Sequence, residues 1–165
     1  MQQHTEKLWP KFRYDDMVAF YGRPGENLTR IEFPYPMRLA WAKGSVVTTT
    51  VCNKKCAVAL LDFLHGIYRL YDRDLDAIRE AGLDLFGGIY SYDHRTIAGT
   101  SHISTHAWAC AIDLNPDANR FGMQWPEQAT MPLKVVEMFE RFGGTAGARW
   151  ERTPDAMHFE FTSGR

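Results

Sequence analysis

The stretch "STHAWACAIDLNP" (Ser104–Pro116) runs from a polar, histidine-bearing loop into a strand, and "DAMHFEF" (Asp155–Phe161) does the same near the C-terminus. In "AIDL", alternation puts Ala111 and Asp113 on one side and Ile112 and Leu114 on the other. In "MHFEF", Phe159 and Phe161 point into a core, while His158 and Glu160 point the opposite way. If the two strands are neighbours, Asp113 and His158 project from one sheet face and His106 arrives from the loop. Two imidazoles and one carboxylate leave one tetrahedral position open, which is the form of a catalytic zinc site rather than a structural one. Asp155, three residues before His158, is placed to take and return a proton.

Neither spacing is specific alone. A histidine followed seven positions later by an aspartate, or an aspartate three before a histidine, arises readily by chance; both together on strand-like segments carry more weight. His102 and His106 are also four apart, the spacing of the helical H-E-x-x-H peptidases. That motif needs a glutamate after its first histidine, and Ile103 stands there in a Ser/Thr-rich, non-helical segment. Cys52 and Cys56 could be half of a zinc site, but no second pair completes it; two partly buried thiols is the plainer reading.

The other histidines have ordinary readings: His4 in a terminal arm, His65 at the edge of a helix, His94 turned away from Arg95, and His102 solvated or beside a ligand. Trp108 reads as core or cleft wall. Glu160 reads as an exposed strand residue or as support for His158.

The bulk numbers fit one globular domain: 165 residues, 45% apolar and 13% aromatic. Nineteen basic and 20 acidic residues give a formal charge of −1, without the basic surplus of nucleic-acid binders. There is no secretory h-region at the N-terminus and no long apolar run, so a soluble, cytoplasmically made monomer without membrane insertion is expected. Three cysteines give no disulfide framework.

Residues 1–36, rich in aromatics, Pro and Gly, read as an irregular N-terminal arm ending in a short strand, with the working domain at 37–165. Ser45–Cys52 is β-branched and reads as a strand. A main helix follows, with Asn53 as its N-cap and a stripe including Val58, Leu61, Phe63, Leu64 and Ile67. "DLDAIREAG" makes a short helix stopped by Gly82, and "LDLFGGIYSYD" a strand. "TMPLKVVEMFERFGG" is a helix capped by Thr130, with Pro132 in its first turn and Gly143 at its end. The order of elements predicts an α+β fold, a small, mostly antiparallel sheet with helices packed on one face.

The two motifs together resemble those of the zinc D-Ala-D-Ala metallopeptidases, the VanY-type D,D-carboxypeptidases and the phage endolysins that cleave the L-alanyl-D-glutamate bond of peptidoglycan. Ser104, His106, Ala111 and Asp113 match the first family motif, and Asp155, His158 and Phe159 the second. The likeness spans roughly residues 20–162 and is greatest to phage and prophage single-domain members. It implies zinc held by His106, Asp113 and His158, with Asp155 as general base and then general acid. It also implies that Arg95 contacts substrate and supports the oxyanion, and that Ser104 hydrogen-bonds substrate backbone.

The implied activity is a zinc-dependent peptidoglycan peptidase cutting beside a D-amino acid, with L-Ala–D-Glu as the expected bond. A carboxypeptidase or dipeptidase of wall precursors is the alternative, and a non-catalytic binding or phage structural protein a third. The implied partner is the peptidoglycan peptide stem, reached after release from the cytoplasm, through a holin if the chain is of phage type. Ala109 stands where the family has glycine, so a positive φ there would strain the loop.

Overall fold

A parallel junction in the middle of the sheet is the feature that the strand pattern did not announce. The computed structural model describes residues 8–91, 96–97 and 102–164. In chain order these form α1 (Tyr14–Tyr21), β1 (Leu28–Leu39), β2 (Val46–Asn53), α2 (Ala57–Leu70), α3 (Leu75–Glu80) and β3 (Leu85–Gly88). The second half adds β4 (Ala111–Leu114), α4 (Leu133–Arg141), β5 (Thr145–Ala146) and β6 (His158–Glu160). One six-stranded sheet runs in the order β2-β1-β3-β4-β6-β5.

The pairs β1–β2, β3–β4, β4–β6 and β5–β6 are antiparallel, but β1 and β3 are parallel. The sheet is therefore mixed, which corrects the expectation of a mostly antiparallel one. The cause is the connection: after β2 turns back along β1, the chain crosses through α2 and α3 and re-enters beside β1 in the same direction. Arg38 of β1 closes that junction with two bonds to Asp84, Nε–Oδ2 at 2.7 Å and Nη2–Oδ1 at 2.8 Å, and Arg79 adds a third at 3.3 Å.

The region expected to be an irregular arm carries α1 and the 12-residue β1, whose alternate residues Ile31, Phe33, Tyr35 and Met37 are buried. Helix α2 buries Leu60, Phe63, Leu64 and Ile67, an i, i+3, i+4, i+7 stripe, while Val58 is 73% exposed. Phe63 packs its ring against Phe139 of α4 at 4.9 Å and Phe159 of β6 at 5.3 Å, joining both helices to the sheet. Each such ring removed from water stabilises the fold by about 1.5–3 kcal/mol.

Two caps differ from expectation. Asn53 ends β2 and is fully buried, and Cys56 takes the N-cap position of α2. Pro132 takes that position in α4, while the backbone N–H of Thr130 donates to Asn119 Oδ1 at 2.9 Å. The three cysteines are free and buried. No helix among the described residues is long and apolar enough to cross a membrane.

Candidate metal centre

Strands β4 and β6 are hydrogen-bonded neighbours, with Asp113 directly opposite His158, Ile112 opposite Phe159 and Ala111 opposite Glu160. The inferred alternation therefore holds, and the apolar partners enter the core while the polar ones share the other face. His106 comes from a single 3-10 turn, Thr105–Trp108, capped by Ser104, whose Oγ accepts the His106 backbone N–H at 3.3 Å. The turn ends on Ala109 at φ 55°, ψ 33°, so the left-handed conformation is real and an alanine occupies it.

The turn is pinned from behind. Asn53 donates its backbone N–H to Ala109 O at 2.9 Å and its side-chain amide to Trp108 O at 3.2 Å. Trp108 itself is core, its Nε1 donating to Gly22 O at 3.0 Å.

Three donor atoms converge. His106 Nε2 lies 3.2 Å from Asp113 Oδ2 and 3.2 Å from His158 Nδ1, and His158 Nδ1 lies 3.0 Å from Asp113 Oδ1. The opposite nitrogen of each ring is committed elsewhere: His106 Nδ1 donates to Ile89 O at 2.8 Å, and His158 Nε2 to Glu160 Oε2 at 2.9 Å. A carbonyl and a carboxylate only accept, so the ring protons sit on those outer nitrogens. Once the inner proton of His158 is displaced, two imidazole lone pairs and a carboxylate face one point, an arrangement that suits a cation.

Zinc–nitrogen bonds of about 2.0–2.1 Å set neighbouring tetrahedral donors about 3.3 Å apart, which matches these separations. All three side chains are buried, and this is the group able to hold a metal ion among the described residues; none of the cysteines joins it.

The electrostatics agree. Burial alone would raise the carboxyl of Asp113, but His106 and His158 outweigh it and hold the group far below the usual carboxylate range. Burial alone would lower His158, but its bonds to Asp113 and Glu160 outweigh that and push it up to about 10. A metal therefore displaces a proton when it binds.

The three residues line one wall of a cleft of about 260 Å³, completed by Ser104, Thr96, Ile97, Phe121, Trp150, Met157 and Asp155. A larger groove of about 470 Å³ at Trp9 and Phe20 lies against none of the metal-binding side chains. Asp155 closes a tight turn into β6, its carbonyl accepting the His158 N–H at 3.0 Å and its own N–H donating to Gly147 O at 2.9 Å. The D-x-x-H spacing is thus one turn that places Asp155 in the lining of the cleft.

Of the residues expected in the site, His106, Asp113, His158, Asp155 and Ser104 are brought together; Arg95 and His94 lie outside the described residues. His102 is exposed, its ring 6.4 Å from Phe12. Sequence reasoning did not place Phe121 or Trp150 in the cleft, and the commoner reading of Glu160 as exposed is overturned: it is fully buried. Only the strand alternation hinted at its side of the sheet.

Residues 98–161 match the family model described as D-alanyl-D-alanine carboxypeptidase, a span that contains every one of these metal-facing residues. No curated protein and no solved structure matches the chain.

Proposed function

We propose that the chain is a zinc metallopeptidase of the D-alanyl-D-alanine carboxypeptidase family, whose model matches residues 98–161, and that it is a peptidoglycan peptidase that cuts the L-Ala–D-Glu bond of the stem peptide. The observation that carries the peptidase reading is the meeting of three lone-pair donors with the Asp155 carboxyl on one cleft. The choice of bond rests on the likeness of the paired motifs to phage-type endopeptidases. In that reading the chain acts as an endolysin, made in the cytoplasm and active on the wall once released.

His106, Asp113 and His158 hold the ion. When bound, zinc supplies Lewis acidity toward the scissile carbonyl and makes a water easier to deprotonate. Asp155 takes the proton from the attacking water and delivers it to the leaving nitrogen, so one carboxyl serves as base and then as acid. Ser104, at the cleft wall, offers its hydroxyl to the substrate backbone, and Arg95 meets the oxyanion with a permanently charged donor fork. Phe121 and Trp150 give the cleft apolar walls that fit alanyl methyl groups and keep water from the reacting atoms.

A second reading, a D,D-carboxypeptidase of wall precursors, is favoured by the description of the matching family model. Mass spectrometry of muropeptides after digestion separates the two. New L-Ala and D-Glu ends establish the endopeptidase, and released D-Ala establishes the carboxypeptidase. Metal-loaded protein that yields neither from any wall type defeats both.

A further inference from the structure

Glu160 is a fully buried carboxylate for which the proposed chemistry has no use. Taking an ionised carboxylate out of water is costly unless its oxygens are hydrogen-bonded. Here Oε1 accepts the Thr162 hydroxyl at 2.8 Å, and Oε2 accepts both the Thr105 hydroxyl at 3.1 Å and the His158 Nε2–H at 2.9 Å. Thr105 belongs to the turn that carries His106, and its Oγ1 also lies 3.3 Å from His158 Nε2.

Two segments that reach the metal from different parts of the fold therefore meet on one side chain. A brace serving the fold alone would not need to engage the imidazole on the edge opposite its metal-facing nitrogen.

We infer that Glu160 is a positioning residue for the metal: it fixes the proton of His158 on Nε2, aims Nδ1 at the ion, and holds the His106 turn against β6 through Thr105. An outer carboxylate makes the imidazole a stronger donor, and losing such a partner typically weakens metal affinity by about 10–100-fold. The inference rests on the metal site but not on the bond that is cleaved, so it is tested without substrate.

The experiment measures zinc affinity by competition with a chromophoric chelator, and the visible spectrum of the cobalt(II)-loaded protein, for wild type, Glu160→Gln and Glu160→Ala. Urea midpoints of the metal-free proteins run beside them. Glu160→Ala is expected to lose about 10–100-fold in zinc affinity and to shift the cobalt bands. Glu160→Gln, which keeps an accepting oxygen but not the charge, should fall between.

If Glu160→Ala does not fold, Thr105→Val, which removes one tether and leaves the carboxylate, carries the test with a smaller loss in the same direction. Folded variants with wild-type affinity and an unshifted cobalt spectrum overturn the inference while leaving the metal site intact. A wild-type protein that binds no zinc overturns the inference and the metal site together.

Discussion

Gly87 lies so close to Asp113 that a Cβ at Gly87 would sit 2.8 Å from the Cβ of Asp113 and 3.2 Å from its carbonyl oxygen. The strand beside the metal ligand has no side chain at this position because there is no room for one. Gly87→Ala must therefore push Asp113 out of line, at the 1–3 kcal/mol typical of overpacking. Zinc titration by calorimetry is expected to show at least about tenfold weaker binding. Unchanged binding would mean that the strand yields without moving the carboxylate.

Removing the metal should abolish hydrolysis, and adding zinc back should restore it. The metal-free protein should also show a characteristic pH response. His158 stands at about 10 in the fold against an ordinary 6.5, so its contribution to stability is fully present below 6.5 and is lost as pH rises through about 10. Thermal midpoints of the metal-free protein should fall over that interval. With zinc at about a thousand times its dissociation constant, about 4 kcal/mol is added and the fall is suppressed. A flat profile without metal would remove the protonated His158 from the account.

Asp155→Asn keeps the shape of the side chain and removes its basicity. Turnover on purified wall is expected to drop about 10²–10⁴-fold with zinc content unchanged. Gly147→Ala attacks the same residue sterically, since its Cβ would collide with the Asp155 carbonyl and lie 3.1 Å from its Cβ. A smaller loss of turnover is expected there. Retained zinc separates both variants from ligand mutants, and full activity in Asp155→Asn would assign the proton transfer elsewhere.

Ala109 pays for its left-handed conformation with about 1–2 kcal/mol of steric cost, which a glycine avoids. Ala109→Gly also loses a buried methyl and gains chain entropy in the unfolded state, so the terms nearly cancel. The expected change is within about 0.5 kcal/mol by urea unfolding. Ala107→Gly, two residues earlier in the same turn and equally buried, should cost about 1 kcal/mol or more. Equal losses at the two positions would show that the strain at Ala109 is negligible.

The reach of sequence reasoning here follows from which interactions are local. The faces of β4 and β6 were readable because alternation is a property of each strand, and their pairing needed only the guess that they are neighbours. The helical stripe of α2 was readable at Phe63, Leu64 and Ile67 for the same reason, while Leu60 was missed and Val58 proves exposed. The parallel β1–β3 junction was not, since it depends on a crossover rather than on either strand's pattern.

Asn53 shows the same limit. Its type suits a helix cap, but tertiary partners at Tyr21, Trp108 and Ala109 claim it instead. For Glu160 the solvent-facing reading was the commoner of two because nothing in one strand says that Thr105 and Thr162 wait to receive its charge.

The two imidazoles present different edges, His106 its Nε2 and His158 its Nδ1. The amide of asparagine overlays the near edge of an imidazole, whereas that of glutamine reaches the far one. A cast of the cleft that keeps its contours while binding no ion therefore needs dissimilar replacements, His106→Gln with His158→Asn, and the reverse pairing leaves one amide too long and the other too short. Such a cast would serve as bait, holding an intact stem peptide in a site that has lost the means to cut it.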